Sequence, residues 1–82
     1  MKVQWEQIAR AYLHPTAIAV IEILAIDDAR VLSPNEMSLE LQTPFATVSY
    51  HVMSLRKRGV LEQTRTGTVR GAIEHFYRLA EG

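Results

Sequence analysis

Two proline-marked helix starts in quick succession constrain this chain more than any other feature. Ser33-Pro34-Asn35-Glu36 puts Ser at a helix N-cap, Pro at the first helical position and Glu at the third, the pattern of a capping box. Thr43-Pro44 repeats the device, with Thr as the cap and Pro again first. The spacing predicts a short helix over residues 34–41, with Met37, Leu39 and Leu41 apolar. A second helix then runs over residues 44–58. In it Val48, Val52 and Leu55 form an apolar stripe at i, i+4 and i+7, and Phe45, Thr47, Ser49, Tyr50 and Ser54 lie off it. Gly59 follows Arg56-Lys57-Arg58. That is a left-handed stop behind three cations that suit the negative end of the helix dipole. Two helices joined by about three residues are the arithmetic of a helix-turn-helix.

The flanks complete the order. Residues 3–13 place Val3, Ile8, Tyr12 and Leu13 among polar residues, with Trp5 near the start, which reads as a first helix. His14-Pro15 opens the next helix. Over residues 17–26, Ile18, Ile21 and Ala25 make one face with Leu24 beside it. Val20, Ile23 and Ile26 widen the apolar surface, as expected of a helix central to the core, or one that also serves a dimer. Asp27-Asp28 end it at the pole unfavourable to acids. After Gly59, residues 60–66 alternate and are Thr-rich, while Ile73, His75, Tyr77 and Leu79 share one parity. Gly67 and Gly71 punctuate the gap, so a β-hairpin is expected. The fold class is mainly α with a small β-hairpin. No repeat or linker breaks residues 1–82, so a single domain is expected.

Composition removes several alternatives. The 82 residues are 48% hydrophobic with formal net charge zero, unlike a disordered chain. Without Cys, disulfide scaffolds and thiol chemistry are excluded. The three His, at 14, 51 and 75, have no ligand-like spacing, so no metal is expected. His51 lies beside the Val48, Val52 and Leu55 stripe and reads as a packing residue. No run is apolar enough to span a bilayer, and the N-terminus does not read as a signal peptide. A cytoplasmic protein without membrane or cofactor follows as the expectation. Gly67-Thr68-Val69-Arg70-Gly71 lacks the Lys-Ser/Thr ending of a phosphate loop, and no catalytic constellation is present. The neutral total hides a polarity. Residues 1–42 hold three cations against six acids, and residues 43–82 hold six against three. A basic half suits a polyanionic partner.

The order and the residues together resemble the winged helix-turn-helix domain of ArsR-like bacterial transcription regulators. The resemblance rests on His14-Pro15 with Ala19-Val20-Ile21-Glu22-Ile23-Leu24, and on Leu32-Ser33-Pro34-Asn35-Glu36. It continues through Ala46-Thr47-Val48-Ser49-Tyr50-His51-Val52 and Leu55-Arg56-Lys57-Arg58-Gly59-Val60-Leu61, and ends on Arg70-Gly71-Ala72-Ile73-Glu74-His75-Phe76-Tyr77-Arg78-Leu79. It implies a recognition helix at 44–58 in the major groove of double-stranded DNA and a wing at 67–72 on the backbone or minor groove. Phe45, Ala46, Thr47, Ser49 and Tyr50 would then face bases, through hydroxyl hydrogen bonds or apolar contact with thymine methyls. Thr43 would cap the helix and bond a phosphate. Arg56 and Lys57 would neutralise phosphates, Arg65 would sit at the wing base, and Arg70 would reach a phosphate or the minor groove. The implied function is a sequence-specific regulator, bacterial or phage-like, with repression as the expected mode.

Two departures from that family stand out. The metal-site cysteines are missing, and a short form without the C-terminal dimerisation helix is expected. Trp5, Ile8 and Tyr12 of the first helix are the expected substitute contacts for a homodimer, with a monomer left open. The alternative function is a winged-helix module that binds proteins and not DNA, because fold does not fix function.

Overall fold

The computed structural model describes residues 14–26 and 30–80. The expected first helix, with Trp5, Ile8 and Tyr12, and the Asp27-Asp28 stop lie outside the described residues. Helix α1 is Pro15–Leu24. His14 is its N-cap, and its Nδ1 accepts from the Thr16 amide at 3.1 Å. Helix α2 is Pro34–Leu41 and α3 is Phe45–Lys57. Strands β1, Leu61–Val69, and β2, Ala72–Leu79, form an antiparallel hairpin. This is a helix-turn-helix followed by a wing.

The capping box forms as its sequence predicts. Ser33 Oγ accepts from the Glu36 amide at 3.2 Å, and Glu36 Oε1 accepts from the Ser33 amide at 2.9 Å. Ser33 is fully buried, so water cannot replace its oxygen. Ser33→Ala is expected to cost about 1 kcal/mol of stability, as loss of an N-cap usually does. Thermal melting should register it as a drop of several degrees, and an unchanged midpoint would deny the box its role.

The second cap differs from expectation. Thr43 does not cap α3. Pro44 occupies the N-cap, and no side-chain cap bond is made. The turn has already claimed Thr43. Its amide donates to Ser38 O, its Oγ1 donates to Leu41 O at 3.1 Å, and its carbonyl accepts from Ser38 Oγ at 2.6 Å. Gln42, in the left-handed region at φ 51°, closes α2 by donating its amide to Leu39 O. With the Thr43 bond this makes a Schellman-type stop. Helix α3 ends the same way: Gly59, at φ 78°, donates to Arg56 O and Val60 to Leu55 O.

The core gathers between α1, α3 and the base of the hairpin. Ala17, Val20, Ile21, Ile23 and Leu24 of α1 are buried with Met37, Val48, Val52 and Leu55. Val60, Leu61, Tyr77 and Leu79 close it from below. The face of α1 turned inward is therefore Ala17, Val20, Ile21 and Leu24. The expected Ile18 is only half-buried and Ala25 is exposed. Arg30 bridges α1 and α2 through the Ile23 carbonyl, at 3.1 Å, and the Glu40 carboxylate. Leu32 and Tyr77 exchange backbone hydrogen bonds at 2.9 and 3.0 Å, which ties the wing to the segment entering α2.

The hairpin is longer than the sequence suggests. Pairing runs to Val69↔Ala72 and includes Gly67↔Glu74, with one irregularity between Gln63 and Arg65. Gly67 is thus a strand residue and not loop punctuation. A Cβ there would lie 3.0 Å from Cε1 of the Phe76 ring, which explains the glycine by space. The loop shrinks to Arg70-Gly71, both at positive φ (51° and 81°). Two such residues make the I′ turn that matches strand twist.

Candidate nucleic-acid interface

Helix α3 has two faces of different use. At about 100° per residue, Val48, His51, Val52 and Leu55 turn inward and are buried. Phe45, Ala46, Ser49, Tyr50, Met53, Ser54 and Lys57 line a shallow depression along the opposite side. Phe45 and Tyr50 are 52% and 70% exposed. Thr47 and Ser49 are half-buried, and Ala46 is exposed. The structure therefore brings Phe45, Ala46, Ser49 and Tyr50 onto one surface and leaves Thr47 at its margin. Met53, 41% exposed, belongs to the same surface. It was not singled out in the sequence, although its spacing of i+4 from Ser49 and i+8 from Phe45 carries the signal.

The wing stands beside this surface. A narrow cleft is lined by Phe45, Ser49 and Met53 on one wall and by Ile73, Glu74, His75 and Tyr77 on the other. Pro34 and Asn35, at the start of α2, close its end. Its volume is about 160 Å³, below the roughly 300–1,000 Å³ of ordinary small-molecule pockets. It reads as the junction of helix and wing. The Tyr77 hydroxyl lies 3.8 Å from Met53 Sδ across it.

The cations frame the surface. Arg56 and Lys57 are exposed in the last turn of α3, and Arg70 is exposed at the hairpin turn. Arg65 sits elsewhere. Its guanidinium lies 4.0 Å over the Phe76 ring, and Phe76 is not among the β2 residues that line the cleft. Arg78 is paired with Glu62 at 3.2 Å. Thr43, half-buried in the turn, has its single hydroxyl proton committed to Leu41 O.

Behind the surface, His51 is buried and its Nδ1 meets no hydrogen-bond partner among the described residues. Its ring lies 4.3 Å from that of His14 and 5.1 Å, edge-on, from that of Tyr50. Burial lowers the His51 pKa below the ordinary 6.5, and the neighbouring His14 lowers it further. The folded state thus favours the neutral ring, while the unfolded chain takes up a proton near the ordinary value. Stability from this site is full above that value, falls as pH drops through it, and levels off below the lowered folded value. The melting midpoint should therefore decline between about pH 7.5 and 5.5. His51→Leu should flatten that decline, and persistence of the full slope would assign it to other groups.

Among the described residues, no group of three or more His, Cys, Asp or Glu side chains could hold a metal ion. None of their helices is long and apolar enough to cross a membrane.

Comparison with known proteins bears on the fold. A solved structure described as a possible transcriptional regulator from Methanosarcina mazei Go1 superposes with a TM-score of 0.77 at 18% sequence identity. The match covers 94% of this chain and 65% of that one, so this chain spans less than two thirds of the other protein's length. At this identity the likeness establishes the architecture, a winged helix-turn-helix. No protein-family model matches the chain, and no curated protein matches its sequence.

Proposed function

We propose that this chain is a sequence-specific DNA-binding transcriptional regulator that acts as a repressor of the ArsR-like kind in a bacterial or phage setting. It works in the cytoplasm by occupying a promoter. Helix α3 enters the major groove, and the hairpin turn lies on the backbone or in the minor groove. The observation that carries this reading is the partition of α3. One side is sealed into the core, and the other presents Phe45, Ala46, Ser49 and Tyr50, with Arg56 and Lys57 exposed in the last turn and Arg70 exposed at the hairpin turn. Cations at the edges of a presented helix suit phosphates on either side of a groove. The possible transcriptional regulator that shares this architecture is in keeping with this use of the fold.

The test is a fluorescence-anisotropy titration of labelled random-sequence duplex DNA at several salt concentrations. Salt-sensitive binding supports the reading, and selection for a preferred site then follows. Absence of binding at low salt from a folded sample removes it. The second reading, a protein-interaction module, is favoured by the exposed apolar side chains of Phe45, Met53 and Ile73 beside a net charge of zero. It requires that a protein partner be captured while duplex DNA is not.

A further inference from the structure

The presented surface of α3 has an unusual chemistry for a base reader. Residues 45–55 contain no Lys, Arg, Asp, Glu, Asn or Gln. Phe45, Ala46 and Met53 offer only apolar atoms, and Ser49 and Tyr50 offer single hydroxyls. Paired hydrogen bonds to guanine or adenine come from Arg or Lys and from Asn or Gln. The groups that qualify, Arg56 and Lys57, come in the last turn of α3, with Arg58 at its C-cap. In the major groove, the apolar group that a base edge displays is the C5-methyl of thymine.

We propose that α3 reads thymine methyl groups, with Phe45, Ala46 and Met53 as the specificity-determining contacts. The preferred operator is therefore defined by the placement of thymines and not by guanine. This rests on the DNA-binding reading above and names what that surface recognises. Three observations support it. The apolar side chains form one continuous strip with Ser49 and Tyr50, which they share with a single surface depression. Phe45 and Met53 keep 52% and 41% of their surface open, so they have area left to bury. Exposed cations, Lys57 at the end of the strip and Arg70 on the wing, complement the phosphates that border the methyls. The strip from Phe45 to Met53 is about 12 Å long at 1.5 Å per residue. Laid along the groove it meets three to four base pairs, at about 3.4 Å each.

The test changes the DNA and leaves the protein intact. A preferred duplex is selected from a random library, and each thymine is then replaced singly by deoxyuridine. The replacement removes the methyl and keeps every hydrogen-bonding atom. Burial of one methyl-sized group is worth about 0.8 kcal/mol, or about fourfold in Kd. The expected result is a loss of about that size at two or more positions in one stretch of about four base pairs, with the salt slope unchanged. In Phe45→Ala or Met53→Ala the penalty should vanish at the position that side chain touches. Uracil tolerated at every position, or a selected site without thymine in the contacted stretch, overturns the inference while salt-sensitive binding keeps the regulator reading standing. No binding to any duplex overturns both.

Discussion

Raising the salt from about 50 to 200 mM is expected to weaken duplex DNA binding by about 40- to 150-fold. The magnitude follows from counterion release. Each phosphate neutralised contributes about −0.9 to the slope of log affinity on log salt. Four phosphates, met by Arg56, Lys57, Arg65 and Arg70, give a slope of about −3.6 per monomer, and three, without Arg65, about −2.7. The structure divides the four. Arg56 and Lys57 are exposed in the last turn of α3 and Arg70 at the hairpin turn, while Arg65 is laid over Phe76. Arg70→Ala should reduce the slope by about 0.9 and weaken all sequences alike if it meets a phosphate. A sequence-dependent loss would instead put Arg70 in the minor groove. A slope near zero would remove the electrostatic part of the account.

Leu55→Ala is expected to destabilise the fold by about 2–5 kcal/mol, the usual cost of a buried leucine. Leu55 is fully buried on α3, which packs against α1, α2 and β1. A chain of this size has little stability in reserve. Each kcal/mol lowers the midpoint of a small domain by about 4–8 °C, so the variant should melt about eight degrees lower or more, or arrive unfolded. Leu39→Ala is the control. Leu39 is 73% exposed on α2, and its loss should stay within about 0.5 kcal/mol. Equal effects from the two variants, followed by circular dichroism, would contradict the placement of the core.

The contrast between these leucines marks what the sequence could and could not reveal. The Ser33 box was legible because every partner lies within one turn. The stripe of Val48, Val52 and Leu55 was legible because a helix with one apolar face has one way to turn. Thr43-Pro44 misled because a Thr-Pro pair looks the same whether Pro takes the first helical position or the cap. The choice was made by Ser38 and Leu41, which claim Thr43 from within α2. The inward face of α1 was ambiguous because that helix is apolar nearly all round. Its neighbours, and not its own spacing, select Ala17, Val20, Ile21 and Leu24. Gly67 looked like a break because what accounts for it, its pairing with Glu74 and the Phe76 ring beside it, lies on the other strand. The candidate surface followed the same rule. Helical spacing put Phe45, Ser49 and Tyr50 off the apolar stripe and the resemblance added Ala46, but Ile73 lines the cleft only because the hairpin stands beside α3.

The two-residue turn at Arg70-Gly71 has a thermodynamic consequence. A long wing loop would have to surrender conformational freedom when it settles on a ligand, and that loss would mask part of the interaction. Here the backbone is paired up to Val69↔Ala72, and only the Arg70 side chain is left to order. In the proposed complex the wing would dock with its backbone already paired. The heat-capacity change of association then reports the apolar area covered on α3, with little contribution from coupled folding of the wing.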